Sequence, residues 1–197
     1  MCAETVCLAV RLEGPLQAWG SASQYNRRLT DVLPSRSAVT GMLCAALGLD
    51  RGSAEEAAFL REMTDVRMLA VAVPRRLEGT ALPVRRLEDY HTVQDTAKAD
   101  GGLKDCHITR RQYLLDAAFR VFLSGRRALL EKAGAALRDP VWGLWLGRKS
   151  CIPTAPVFAG IFADEQAAVA ACVPEGLDVC LRSRDAVSYT HLTLPTT

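Results

Sequence analysis

The sequence contains no CxxC pair. Its cysteines, Cys2, Cys7, Cys44, Cys106, Cys151, Cys172 and Cys180, are odd in number and scattered. That pattern argues against a disulfide framework and against a zinc ribbon, and leaves reduced thiols in a cytoplasmic protein as the expectation. No apolar run approaches the roughly 20 residues of a membrane span. The opening MCAETVCLAV lacks a basic stretch and a cleavage site, so no signal peptide and no membrane partner are expected. An excess of either charge is also lacking: the net charge is +2, which by itself predicts no nucleic-acid partner. No sequence repeat or low-complexity run is present, and nothing points to a metal or cofactor.

What is present is ordinary globular material, 197 residues with 49% hydrophobic and 23% charged side chains. A chain of this length buries about 70% of its unfolded surface and needs no covalent staples. The positive charge is mostly arginine and comes in pairs: Arg27-Arg28, Arg75-Arg76, Arg85-Arg86, Arg110-Arg111, Arg126-Arg127 and Arg148-Lys149. A guanidinium is a planar fork of donors that matches phosphate oxygens. Acidic residues concentrate in Glu55–Asp65 and Glu131–Asp139, so a local basic field can exist under a near-neutral total.

Along the chain, Val6, Leu8, Val10 and Leu12 alternate within a first strand, Thr5–Leu12. A long loop, Glu13–Pro34, follows. Ser35 or Ser37 caps a helix to Leu47 whose apolar face is Val39, Met42, Leu43, Ala46 and Leu47, and Gly48 stops it. Ser53 with Glu56 opens a short second helix. Val66–Val73 reads as a strand. Leu82–Asp95 and His107–Leu115 read as extended arms around a polar tip, Ala97–Lys104. Ala118–Leu123 is a strand, Gly125–Leu137 a helix, and Val141–Leu146 a fourth strand. Val157–Phe162, Glu165–Ala171 and Leu177–Leu181 form a smaller C-terminal group.

With the Pro74–Asp116 insert and the short helix set aside, the order is strand, helix, strand, strand, helix, strand. This predicts an α+β, ferredoxin-like (RRM-like, RAMP) domain over residues 1–150. A β-hairpin thumb is inserted at about 74–116, and a partial C-terminal subdomain occupies 151–186. The end of the sequence, VSYTHLTLPTT over 187–197, reads as an added, non-native tail, and His191 is discounted with it.

Three segments hold candidate chemistry. In the first, RLEGPLQAWG precedes Arg27-Arg28 and PSRSAVTG, which puts Arg36 and Ser37 at a helix start where free N–H groups attract phosphate. Trp19 either stacks on a ligand or covers the core edge. In the second, DYHTV, Tyr90 and His91 are either an acid–base pair for RNA cleavage, with His107 or Lys104 as partner, or ordinary strand residues. In the third, LGRKSCIP, a glycine before Arg148, Lys149 and Ser150 gives either a phosphate-clamping turn or a solvated one. RRM sheets read bases with strand aromatics. The first strand has none, and at least one of Phe119 and Phe122 must face the core, so loops and arginines are expected to make most contacts with any RNA.

These segments, with PSRSAVTGMLCAALGL and TRRQYLLDAAFRV, stand in an order that resembles the CRISPR-associated protein 5 family as it occurs in type I-E surveillance complexes, across Thr5 to about Ala159. The resemblance implies an RRM-like domain with a thumb that binds crRNA without cutting it and holds the 5′ handle of the guide. It also implies partners: the backbone subunits of Cascade, its large subunit, and target DNA through the guide duplex. The alternative is a metal-independent endoribonuclease acting on repeat RNA; a metabolic domain with no nucleic acid is a third reading. The RNA-contacting set carried by the matched stretches is Gln17, Trp19, Arg27, Arg28, Arg36, Ser37, Tyr90, His91, Arg110, Arg111, Arg148, Lys149 and Ser150. Relative to the family the chain ends early, which implies a shortened C-terminal subdomain and an exposed sheet edge.

Overall fold

A computed structural model of the chain describes residues 4–20, 23, 25–74, 76–78, 80–98, 100–174 and 182–184. The expected strand at Leu177–Leu181 and the 187–197 tail lie outside them.

The elements in chain order are strands β1 (Thr5–Glu13), β2 (Leu16–Gln17) and β3 (Arg27–Arg28), helices α1 (Arg36–Leu47) and α2 (Ala54–Met63), and strands β4 (Arg67–Ala72), β5 (Arg76–Leu77), β6 (Thr80–Ala81), β7 (Arg85–Ala97), β8 (Leu103–Leu115) and β9 (Ala118–Arg126). Helix α3 (Arg127–Arg138), β10 (Phe158–Phe162), α4 (Glu165–Cys172) and β11 (Arg182–Arg184) complete them. The main sheet runs β10-β1-β9-β4-β11, with every pairing antiparallel.

Alternation in β1 sends Val6, Leu8, Val10 and Leu12 into a core shared with Leu43 of α1, Phe59 of α2 and Leu130 of α3. The opposite face is also covered: Cys7, Ala9, Leu69, Val71 and Phe122 cluster with Ala168 of α4. Of the two phenylalanines at issue, Phe119 joins the larger core and Phe122 lies in the smaller cluster beside α4. Arg120 ties that layer down, donating from Nε to the Cys172 carbonyl (3.1 Å) and pairing through Nη1 with Glu13 (2.6 Å). Helix α1 starts on Ser35, whose hydroxyl accepts from Ala38 N, and ends on Gly48 in the left-handed region at φ 67°.

The expected fourth strand is corrected. Val141–Leu146 forms no strand. Pro140, Gly143 and Gly147 interrupt it, and Val141 N and Trp142 N donate to the Ala46 and Ala45 carbonyls at the end of α1 (3.0 and 3.2 Å). The place beside β1 is taken by β10, so a core ending at residue 150 lacks an edge strand. The glycine at Gly125 also belongs to β9 rather than to the following helix, because it pairs with Val6.

Strands β7 and β8 form a long antiparallel hairpin of 13 residues each, the first arm shifted toward the tip, the second longer and the tip shorter than the sequence implies. The other edge of β8 carries β2 antiparallel and β3 parallel. The expected Glu13–Pro34 loop is therefore tied down at β2 and β3, whose backbones complete the sheet of the hairpin.

Candidate nucleic-acid interface

The interface is built on a buried polar foundation. Gln17, with no exposed surface, donates from Nε2 to the Leu12 and Ala117 carbonyls (3.1 and 2.5 Å) and accepts from Trp19 Nε1 (3.0 Å). Trp19 is equally buried, and its backbone N–H donates to the Thr30 hydroxyl (2.8 Å) while its carbonyl accepts from Asp31 N (2.9 Å). The expectation that Gln17 and Trp19 touch RNA is corrected on this point: both lie inside, and they fix the two ends of the segment that delivers β3. Every side-chain polar atom of the pair finds a partner, as burial requires.

From that foundation β3 reaches β8. Arg27 stands in register with Arg110 and Arg28 with Arg111, and Arg110 N donates to the Asn26 carbonyl (2.8 Å). On the far edge Tyr90 pairs with Arg110 and Asp89 with Arg111. Residues in register across a sheet share a face, and successive residues alternate between faces. One face therefore carries the row Arg27, Arg110, Tyr90, and the other carries Arg28, Arg111, Asp89. Tyr90 and His91 consequently point to opposite faces, which separates the suspected acid–base pair. His91 lies 3.8 Å from Asp89, and His107 Nε2 is 2.9 Å from the Asn26 side-chain oxygen. Lys104 stands in β8 opposite Thr96, close to the tip.

The Gly147–Ser150 turn lies against this sheet. Arg148 donates to the Gln112 carbonyl (2.6 Å) and the Arg28 carbonyl (2.8 Å), with its guanidinium 4.6 Å from the centre of the Tyr113 ring. Its donors are thus engaged by backbone, and the side chain acts as a clamp across β8 and β3; Lys149 and Ser150 beside it are exposed. The turn needs glycine: at φ 97°, a Cβ on Gly147 would stand 1.7 Å from the Ala18 carbonyl oxygen.

Arg36 is not with the others. Its Nη2 donates to the Met63 carbonyl (2.8 Å) and to that of Val66, gathering the carbonyls left over at the end of α2. Ser37 is exposed on the first turn of α1, its hydroxyl 3.2 Å from that of Ser35. Other arginines are offset by acids: Arg126 by Glu62, and Arg127 by Glu4 and Glu131, the two carboxylates raising its pKa while it lowers that of Glu4. Among the described residues Arg27 and Arg28 have no acidic partner, whereas Arg110 has Glu88 at 3.7 Å in an exposed pair of little strength.

Tyr25, outside the set expected from the sequence, is 90% exposed with φ 45° just before β3. The signal available in the sequence was an aromatic residue two positions before a pair of arginines. Among the described residues no three His, Cys, Asp or Glu side chains are grouped to hold a metal, and no helix is long and apolar enough to cross a membrane.

Comparison with known proteins gives a consistent set of relatives. The family model described as CRISPR-associated protein (Cas_Cas5) matches residues 7–194. The CRISPR system Cascade subunit CasD of Escherichia coli (strain K12) is 33% identical over 193 residues, covering 94% of this chain and 84% of that protein. A solved CRISPR RNA-guided surveillance complex contains a chain 30% identical with a TM-score of 0.64, covering 77% of this chain and 61% of that one. A crystal structure of a Cas protein is 34% identical with a TM-score of 0.52, covering 78% and 62%. This chain thus aligns with about three-fifths of the length of those two solved chains.

Proposed function

The chain belongs to the CRISPR-associated protein Cas5 family, and from that premise we propose that it is a guide-RNA-holding subunit of a type I-E surveillance complex in the cytoplasm. It binds crRNA without cutting it, holds the 5′ handle, closes one end of the filament of backbone subunits and meets the large subunit. Target DNA reaches it only through the guide duplex.

One observation carries this reading. The parallel pairing of β3 with β8 brings two arginine pairs that lie far apart in sequence into register, Arg27-Arg28 beside Arg110-Arg111, with exposed Lys149 on the adjoining turn. Four guanidinium groups on a two-faced ribbon suit the backbone of a single strand, which is recognised by charge more than by base edges. The coverage of Phe122 by the smaller cluster favours the hairpin over the main sheet as the RNA surface. The strand order β10-β1-β9-β4, with α1 and α3 in the connections, supports a ferredoxin-like, RRM-like core, and the β7–β8 hairpin supports a thumb.

The test is binding of the full chain to repeat-derived single-stranded RNA over a range of salt. Each phosphate contact contributes about 0.7 to the slope of log affinity against log salt, so Arg27→Ala with Arg110→Ala, which share one face, should flatten it by about 1.4. An unchanged affinity and slope sinks the assignment. Metal-free, site-specific cleavage of the same RNA that disappears in His91→Ala would replace the holder with an endoribonuclease.

A further inference from the structure

Resting on the RNA-binding reading, we propose that the row Tyr90, Arg110, Arg27 is a seat for one unpaired nucleotide, its base stacked on Tyr90 and its phosphate held at Arg27. The register puts the three side chains on one face of three adjacent strands, a row about 10 Å across at the spacing of paired strands. Tyr90 is 60% exposed, and Ile108, diagonal to it on the same face, is 39% exposed. One border of the seat is therefore aromatic, with Ile108 beside it, and the cations occupy the middle and the opposite border.

The charges give the seat a direction. Glu88 stands 3.7 Å from Arg110 on the β7 side, where a phosphate would be repelled. Arg27, on the β3 side, has no acidic partner among the described residues. The RNA backbone therefore follows β3, and the base crosses β8 toward Tyr90. Arg110 lies between, its guanidinium plane able to cover the base edge or to share the phosphate. A base on an aromatic ring is a sequence-tolerant contact, so the seat fixes the position of a nucleotide and does not read its identity.

The experiment uses the full chain, Tyr90→Ala and Tyr90→Phe, with a series of single-stranded RNAs each carrying one abasic site. One position is expected at which the abasic RNA binds wild type and Tyr90→Phe about tenfold more weakly, the order of a lost stack, yet costs nothing further in Tyr90→Ala. Because Tyr90 is exposed, its thermal midpoint should match wild type. RNA bound with undiminished salt dependence but with no such position overturns the seat and leaves the RNA-binding reading standing. Failure of wild type to bind RNA even at low salt overturns both. Unaltered RNA affinity in Tyr90→Ala together with loss of a protein partner from the assembled complex overturns the seat in favour of a protein interface.

Discussion

Arg148 donates to carbonyls of β8 and of β3 and lies over the Tyr113 ring. Arg148→Ala should therefore lower stability by about 2 kcal/mol, the order of two charged hydrogen bonds in a half-exposed site, as read by urea denaturation. Arg148→Lys should recover only part of it, since a compact ammonium lacks the planar fork that spans the two carbonyls and covers the Tyr113 ring. At Cys7, burial is the larger cause and pushes the thiol up from 9.0 to about 11, with Ser124 acting the other way. The folded state therefore holds this proton more tightly. Its contribution to stability is complete below pH 9 and is lost as pH climbs toward about 11. At pH 8 a thiol reagent should label exposed Cys106 and spare Cys7 until the chain unfolds.

Among elements, α2 shows what the sequence could and could not convey. Its start was readable, because Ser53 and Glu56 stand at capping-box spacing, and the hydroxyl of Ser53 accepts from Glu56 N at 3.0 Å. Its end was not, because the cap comes from Arg36, more than twenty residues upstream. Arg36→Met, which keeps the reach and removes the donors, should cost about 1 kcal/mol of stability. The salt slope of RNA binding should stay as it was; a flattened slope would return Arg36 to the RNA surface. The same asymmetry explains the other outcomes. β1 and α3 announce themselves through periodicity, α1 through periodicity and its local caps, and the hairpin arms through extended composition. The partner of β3 and the burial of Trp19 depend on contacts across the chain, as does the substitution of β10 for Val141–Leu146, and no local pattern records them.

On the scale of the whole molecule, the basic surface is an assembly of segments from three separate stretches, joined by the β3–β8 pairing and the Arg148 clamp. The β3–β8 pairing is what puts the four arginines in register, so on the proposed reading RNA should favour it by mass action. Hydrogen exchange should show the Arg110 amide, bonded to the Asn26 carbonyl, slowing on addition of RNA, with amides of the β1–β9 pairing unaffected. Equal exchange at Arg110 with and without RNA would mean that the pairing is indifferent to the ligand. Strand β3 is only two residues long, and so short a rung opens at small cost. On the proposed reading, the chain bound to guide RNA should then be measurably harder for a protease to nick near residue 25 than the same chain alone, the RNA acting as guardian of the stretch beneath it.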